Sequence, residues 1–145
     1  SGINLAALVA WIALIVLPRW PALLSALLFL GVGGLCALYT TLMIGALSGL
    51  IPLSGDPSES FPDLTTMEGV SALFARDLGV VIGWSHYLAF YLIVGLWIER
   101  DADEKFFARW QQAPVLLATF LLGPIGLFIW LLIREPRARA KGRFQ

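Results

Sequence analysis

One side chain invites a chemical reading before any other. His86 is the only histidine of the chain, and it lies in the segment Gly83-Trp84-Ser85-His86-Tyr87-Leu88-Ala89-Phe90-Tyr91. That segment falls within an uncharged run from Leu78 to Ile98, 21 residues long and enough to cross a bilayer as a helix. An ionisable group at membrane depth is costly, and it usually faces protein or water instead of lipid. There an imidazole can serve as a general acid or base, or as an axial ligand.

On a helix of 3.6 residues per turn, His86 shares a face with Gly79, Ile82, Gly83, Phe90, Ile93 and Trp97. The two glycines leave room for a ligand or for a partner helix. Trp84, Tyr87 and Tyr91 make an adjacent face. The plainer reading is a neutral imidazole hydrogen-bonded across helices to Tyr39 or Thr41. Trp84, Trp97 and Trp110 could line a cavity for a ring-bearing lipid. Trp20, Trp97 and Trp110 also suit interfacial anchoring, and Trp84 suits it least.

A dedicated metal site is hard to assemble. One histidine, one cysteine and no carboxylate inside any span cannot supply three or four ligands at depth. His86 and Glu99 are thirteen residues apart, roughly 20 Å along one helix. No cofactor is expected, although a haem with His86 as sole axial ligand stays open. A channel or transporter normally needs several intramembrane polar groups. Cys36 lies alone in an apolar run, which predicts a buried small residue and excludes an intrachain disulfide.

The elements that must position these groups are written in the distribution of charge. Of 145 residues 59% are hydrophobic and only 14% charged, and the mean hydropathy is +0.81. A soluble domain of this length carries about a quarter charged residues. All twenty charges fall in five clusters: Arg19, Asp56 to Asp77, Glu99 to Arg109, Arg134 to Arg139, and Lys141 with Arg143. The stretches between them match bilayer thickness, so the chain reads as an all-α integral membrane four-helix bundle forming one domain. A net charge of zero recommends no nucleic-acid partner.

The expected spans are about 3–17, 22–50, 78–98 and 113–133. The first, without a basic n-region, reads as a retained helix and stops at Pro18-Arg19-Trp20-Pro21. Gly45-x-x-x-Gly49 in the second would admit a neighbouring backbone and leaves a homo-oligomer open. Gly123-Pro124 in the fourth predicts a kink or break. The linker 51–77 begins turn-rich and ends in a short interfacial helix. Thr65-x-x-Glu68 has capping-box spacing, and Met67, Val70, Leu73 and Phe74 fall on one face. Glu99, Arg100, Asp101, Asp103 and Glu104 read as a solvated cluster with Lys105 as partner. The tail 134–145 reads as a basic contact for anionic headgroups. With four spans, six basic residues stand on the side of the termini against four opposite, which favours cytoplasmic termini.

The segment GWSHYLAFYLIVGLWIERDA resembles the signature of the abscisic-acid-deficient-four-like family. INLAALVAWIALIVLPRW, Tyr39, TTMEGVSALF and TFLLGPIGLFIWLL are similar to the family in the same order, so the resemblance covers nearly the whole chain. It is closer to bacterial members, which implies an inner-membrane location, than to the plastid protein needed to make neoxanthin from violaxanthin. The family pattern has an aspartate after Leu-Ala-Phe where this chain has Tyr91. That departure implies an altered or lost activity, or another substrate.

The resemblance implies chemistry on a carotenoid or related isoprenoid in the membrane, of the type that turns an epoxy-carotenoid into an allenic isomer. Such a reaction gives one proton to the epoxide oxygen and removes another from carbon. The implied residues are His86 as base or shuttle, and Tyr87, Tyr91 or Tyr39 as donor. Gly83, Trp84, Phe90 and Trp97 would line the substrate pocket near His86. Two alternatives stand beside it: a non-catalytic lipid-binding or scaffold protein, and an iron- or haem-dependent carotenoid-cleaving enzyme.

Overall fold

The computed structural model describes residues 2–17, 20–53, 56, 58 and 60–141, the side chain of Lys141 excepted. The prolyl stop at Pro18 and Arg19, part of the linker turn and the end of the basic tail lie outside the described residues. Six helices form among those described: α1 (Gly2–Val16), α2 (Pro21–Leu47), α3 (Met67–Phe74), α4 (Asp77–Glu104), α5 (Arg109–Leu122) and α6 (Pro124–Lys141). The fold is all-α, as the charge distribution predicts. Two of the helices, α2 and α4, are long and apolar enough to cross a membrane, and α1 is apolar but shorter. Only 17% of the most apolar stretch of α2 is buried. Phe29, Leu30, Ile44 and Leu47 stand exposed on it, apolar surface of the kind that meets a membrane or a protein partner.

The chain divides into two compact units, Ser1–Val32 with Phe90–Gln145, and Gly33–Ala89. In the first, Trp11 and Leu14 of α1, Leu92, Leu96 and Ile98 of α4, Leu116 of α5 and Trp130 of α6 form the buried core. Gly95 makes the closest approach possible, because a Cβ there would stand 2.6 Å from the Trp11 ring. Trp11 also meets Phe120 with ring centroids 5.3 Å apart. The C-terminal end of α1 is closed by Arg109, whose guanidinium donates to the Leu17 carbonyl. Within α2, Leu27–Val32 is π-helical, a wider turn than the flanking α-helix.

The charged cluster after Ile98 is divided: Arg100, Asp103 and Glu104 are exposed as the solvated reading expects, but Glu99, Asp101 and Lys105 are buried, which corrects it for those three. Asp101 accepts from Arg134 Nε at 2.6 Å and Arg134 Nη2 at 2.9 Å. It accepts also from Lys105 Nζ at 2.7 Å and Trp130 Nε1 at 3.0 Å. Four donors saturate the lone pairs of one carboxylate. Asp101, Lys105, Arg134 and Trp130 are all buried, so α4 and α6 are joined by buried ion pairs that share one carboxylate. Arg134 is therefore no headgroup contact. Arg137 lies over the Phe107 ring at 3.8 Å, and Arg139 pairs with Glu135 at 3.0 Å.

The segment 113–133 is not one helix. Gly123 adopts φ 51°, ψ −98°, a conformation that side-chain-bearing residues avoid, and divides it into α5 and α6. Pro124 follows at the first position of α6, where its missing N–H costs nothing. The break anticipated at Gly123-Pro124 is sharp. A Cβ on Gly126 would stand 2.2 Å from the Thr119 backbone nitrogen. On a straight helix those residues would be roughly 10 Å apart.

In the second unit, Gly49 (φ 73°) ends α2, and the Ile51 N–H folds back onto the Gly45 carbonyl at 3.0 Å. Gly45 sits against the Ile51 side chain, so the Gly45-x-x-x-Gly49 spacing serves a helix terminus and not a helix pair. Thr66, not Thr65, caps α3, its hydroxyl accepting from the Gly69 N–H at 3.1 Å. The Thr65 hydroxyl instead donates to Asp63 at 2.7 Å. Of the apolar face expected on α3, Leu73 is buried, but Met67 is 82% exposed. Cys36 is exposed too, against the expectation of burial.

Candidate functional site

The residues singled out by sequence fall into two separate groups. In the second unit, α2 supplies Tyr39 and α4 supplies Gly83, Trp84, His86 and Tyr87. The His86 ring lies 5.4 Å from that of Tyr39, tilted by 53°, and 6.2 Å from that of Tyr87 in an edge-on arrangement. Tyr39 is thus the cross-helix neighbour of the imidazole. Thr41 is not, because its hydroxyl donates to the Ala37 carbonyl one turn back at 2.8 Å.

His86 is exposed, and Trp84 and Tyr87 are exposed with it. The group is an aromatic face at the surface of the unit and not a closed pocket. Gly79 and Gly83 do not leave space for a ligand. The Leu73 carbonyl occupies the position beside Gly79, and the Phe74 ring that beside Gly83, where a Cβ would stand 1.9 and 2.4 Å away. These glycines admit the end of α3 onto α4. Ser85, the remaining hydroxyl of the motif, is buried and donates to the Ile82 carbonyl at 2.9 Å.

The second group lies in the first unit. Phe90 and Tyr91 of α4 line an apolar cavity of about 160 Å³ together with Val94, Thr119, Gly123, Pro124 and Leu127. The cavity exists because α5 and α6 part at Gly123. The Tyr91 ring fills the space a side chain at Gly123 would take, with Cζ 2.3 Å and Oη 2.6 Å from an added Cβ. Thr119 turns its hydroxyl to the Val115 carbonyl at 2.9 Å, leaving methyl and ring carbons as the wall. A cavity of about 150 Å³ with apolar walls accepts one benzene-sized group. This cavity therefore has room for one six-membered ring and not for a whole polyene.

Trp97, expected to line a pocket near His86, packs under the Arg134 guanidinium at 5.4 Å from its ring centroid. Thr119 escaped the sequence reading, although a hydroxyl four residues before Gly-Pro in an apolar run marks the edge of a helix break. Among the described residues, no group of three or more histidine, cysteine, aspartate or glutamate side chains is placed to hold a metal ion.

Comparison with known proteins is uneven. No curated protein and no solved structure matches the chain. The ABA DEFICIENT 4-like family pattern, however, matches residues 1–130. Tyr39, the His86 motif and the Gly123 break all fall within that match, and the chain belongs to the ABA DEFICIENT 4-like family.

Proposed function

We propose that this is an integral membrane protein acting on a carotenoid or related ring-ended isoprenoid, with His86 and Tyr39 as its acid–base pair. The observation that carries the reading is the 5.4 Å approach of the only imidazole to a phenol on another helix. Its exposure fits a substrate dissolved in lipid, which reaches an open aromatic face laterally and needs no tunnel from water. The family's link to neoxanthin synthesis supplies the reaction class. The Tyr39 hydroxyl gives its proton to the epoxide oxygen as a C–O bond opens. His86 takes a proton from carbon, and the electron pair of that C–H bond becomes the new double bond. Atoms and oxidation level are unchanged, so no external oxidant enters. Tyr87, edge-on to His86, orients the imidazole.

A second reading has its own support. The cavity around Tyr91 carries no titratable side chain besides Tyr91 itself, which suits binding better than reaction. On that reading the protein holds a ring-ended lipid for an enzyme made elsewhere. One experiment separates the two. The chain, His86→Ala and Tyr39→Phe are expressed in a host accumulating violaxanthin-type epoxides, and pigments are resolved by chromatography. A new isomer in the wild type that both variants lose supports catalysis. Unchanged pigments in all three strains, with carotenoid absorption bands retained by the purified protein, leave binding as the function.

A further inference from the structure

We propose that the cleft between the first turns of α2 and the last turns of α4 is a binding site for an anionic phospholipid, one acyl chain inside it and the phosphodiester on Arg100. The cleft measures about 270 Å³ and is lined by Pro21, Leu24, Ser25, Leu28, Leu96 and Arg100. Residues 21, 24, 25 and 28 form one stripe of α2, and 96 and 100 stand one turn apart on α4. Further along, Gly31 meets Leu92, with a Cβ there only 3.0 Å from the leucine methyl, so the two helices run antiparallel. The polar end of the cleft is accordingly that of Pro21 and Arg100, and the apolar end that of Leu28 and Leu96.

This polarity matches a lipid. Arg100 lies just past the uncharged run that ends at Ile98, at the depth of headgroups, while Leu96 lies one turn deeper. Lys105 and Arg134 are both paired with Asp101 inside the protein, whereas Arg100 is exposed and forms no ion pair among the described residues. Its planar fork fits a phosphate in two hydrogen bonds. Ser25 puts a hydroxyl on the same wall. Scaled from a benzene-sized void of about 150 Å³, the cleft takes roughly ten chain carbons, part of one acyl chain. It opens to the side, as a second chain and a bulky headgroup require. Leu28 belongs to the π-helical turn of α2, and such turns recur at functional sites.

The test is native mass spectrometry of the full chain in lauryl maltoside, titrated with dioleoyl phosphatidylglycerol or dioleoyl phosphatidylcholine. The expected result is roughly tenfold tighter binding of phosphatidylglycerol, a preference that Arg100→Gln abolishes and Arg100→Lys largely keeps. Leu28→Trp, which fills the apolar end, should weaken both lipids, with helicity checked by circular dichroism. Equal binding of the two lipids by the wild type overturns the proposal. So does a preference that survives Arg100→Gln, or undiminished lipid binding by Leu28→Trp. Oleate that displaces phosphatidylglycerol at equal concentration overturns it in favour of a free carboxylate.

Discussion

Replacing Asp101 by asparagine keeps the shape of the side chain and removes its charge, which isolates what the buried carboxylate contributes. In the native protein four donors converge on it: Arg134 twice, Lys105 and Trp130, at 2.6 to 3.0 Å. Asparagine keeps one acceptor oxygen and turns an NH2 group towards donors, so at least two of these hydrogen bonds are lost. Arg134 and Lys105 are left buried with no compensating charge from residue 101. Removing one partner of a buried ion pair costs about 3–5 kcal/mol, and the loss of two such pairs at once puts this variant at the upper end. At about 2–4 °C per kcal/mol, thermal unfolding in a fixed detergent should fall by on the order of 10 °C. A companion variant removes all three charges together: Asp101→Leu, Lys105→Met and Arg134→Leu. Because this replacement removes the two cations together with the carboxylate they share, it should destabilise less than Asp101→Asn. A shift below about 3 °C for Asp101→Asn would refute the argument that ion pairing to Asp101 holds α4 to α6.

Further outcomes follow from other contacts. Gly123→Ala combines a left-handed backbone costing about 1–2 kcal/mol with a Cβ 2.3 Å from the Tyr91 ring. It should lower the melting temperature, and Tyr91→Ala in the same chain should recover the steric part and leave the backbone part. Thr66→Ala removes the N-cap of α3 and should cost about 1 kcal/mol, read as faster hydrogen exchange at the amides of residues 67–70. The Thr65 N–H and hydroxyl, bonded to Asp63, hold its carboxyl below the ordinary value of 3.8. Their stabilisation is therefore complete above that value and disappears as pH falls through the lowered one. Thr65→Ala should bring the Asp63 titration, followed by carboxyl carbon chemical shift, back towards 3.8.

Short-range features were legible from sequence because they depend on local chemistry. Uncharged runs announce α2 and α4, and a Gly-Pro pair announces the division of α5 from α6. Tyr39 could be named as a neighbour of His86 because few polar groups share that depth. What stayed hidden depends on partners distant in sequence. Asp101 and Arg134 are 33 residues apart, and nothing in a run of five charges marks which of them a distant helix buries. The glycines of α4 announce room without saying who occupies it. At Gly79 and Gly83 the occupant is the end of α3, and at Gly95 it is Trp11. Gly45 and Gly49 have the spacing of a helix-pairing motif, yet the chain turns there, a distinction carried by backbone angles and not by residue type. Helix periodicity puts His86 on a face with Gly79 and Gly83 and so suggests enclosure, yet the end of α3 takes the space beside those glycines and the imidazole stands exposed.

The exposed position of Cys36 on α2 offers a chemical ruler. With no second sulfhydryl in the chain, any maleimide adduct reports on one location. A thiol surrounded by acyl chains stays protonated and reacts sluggishly, whereas one bathed by water alkylates readily. Comparing labelling rates in intact vesicles and in detergent would thus tell which solvent meets that flank of α2, with no mutation needed to install the probe.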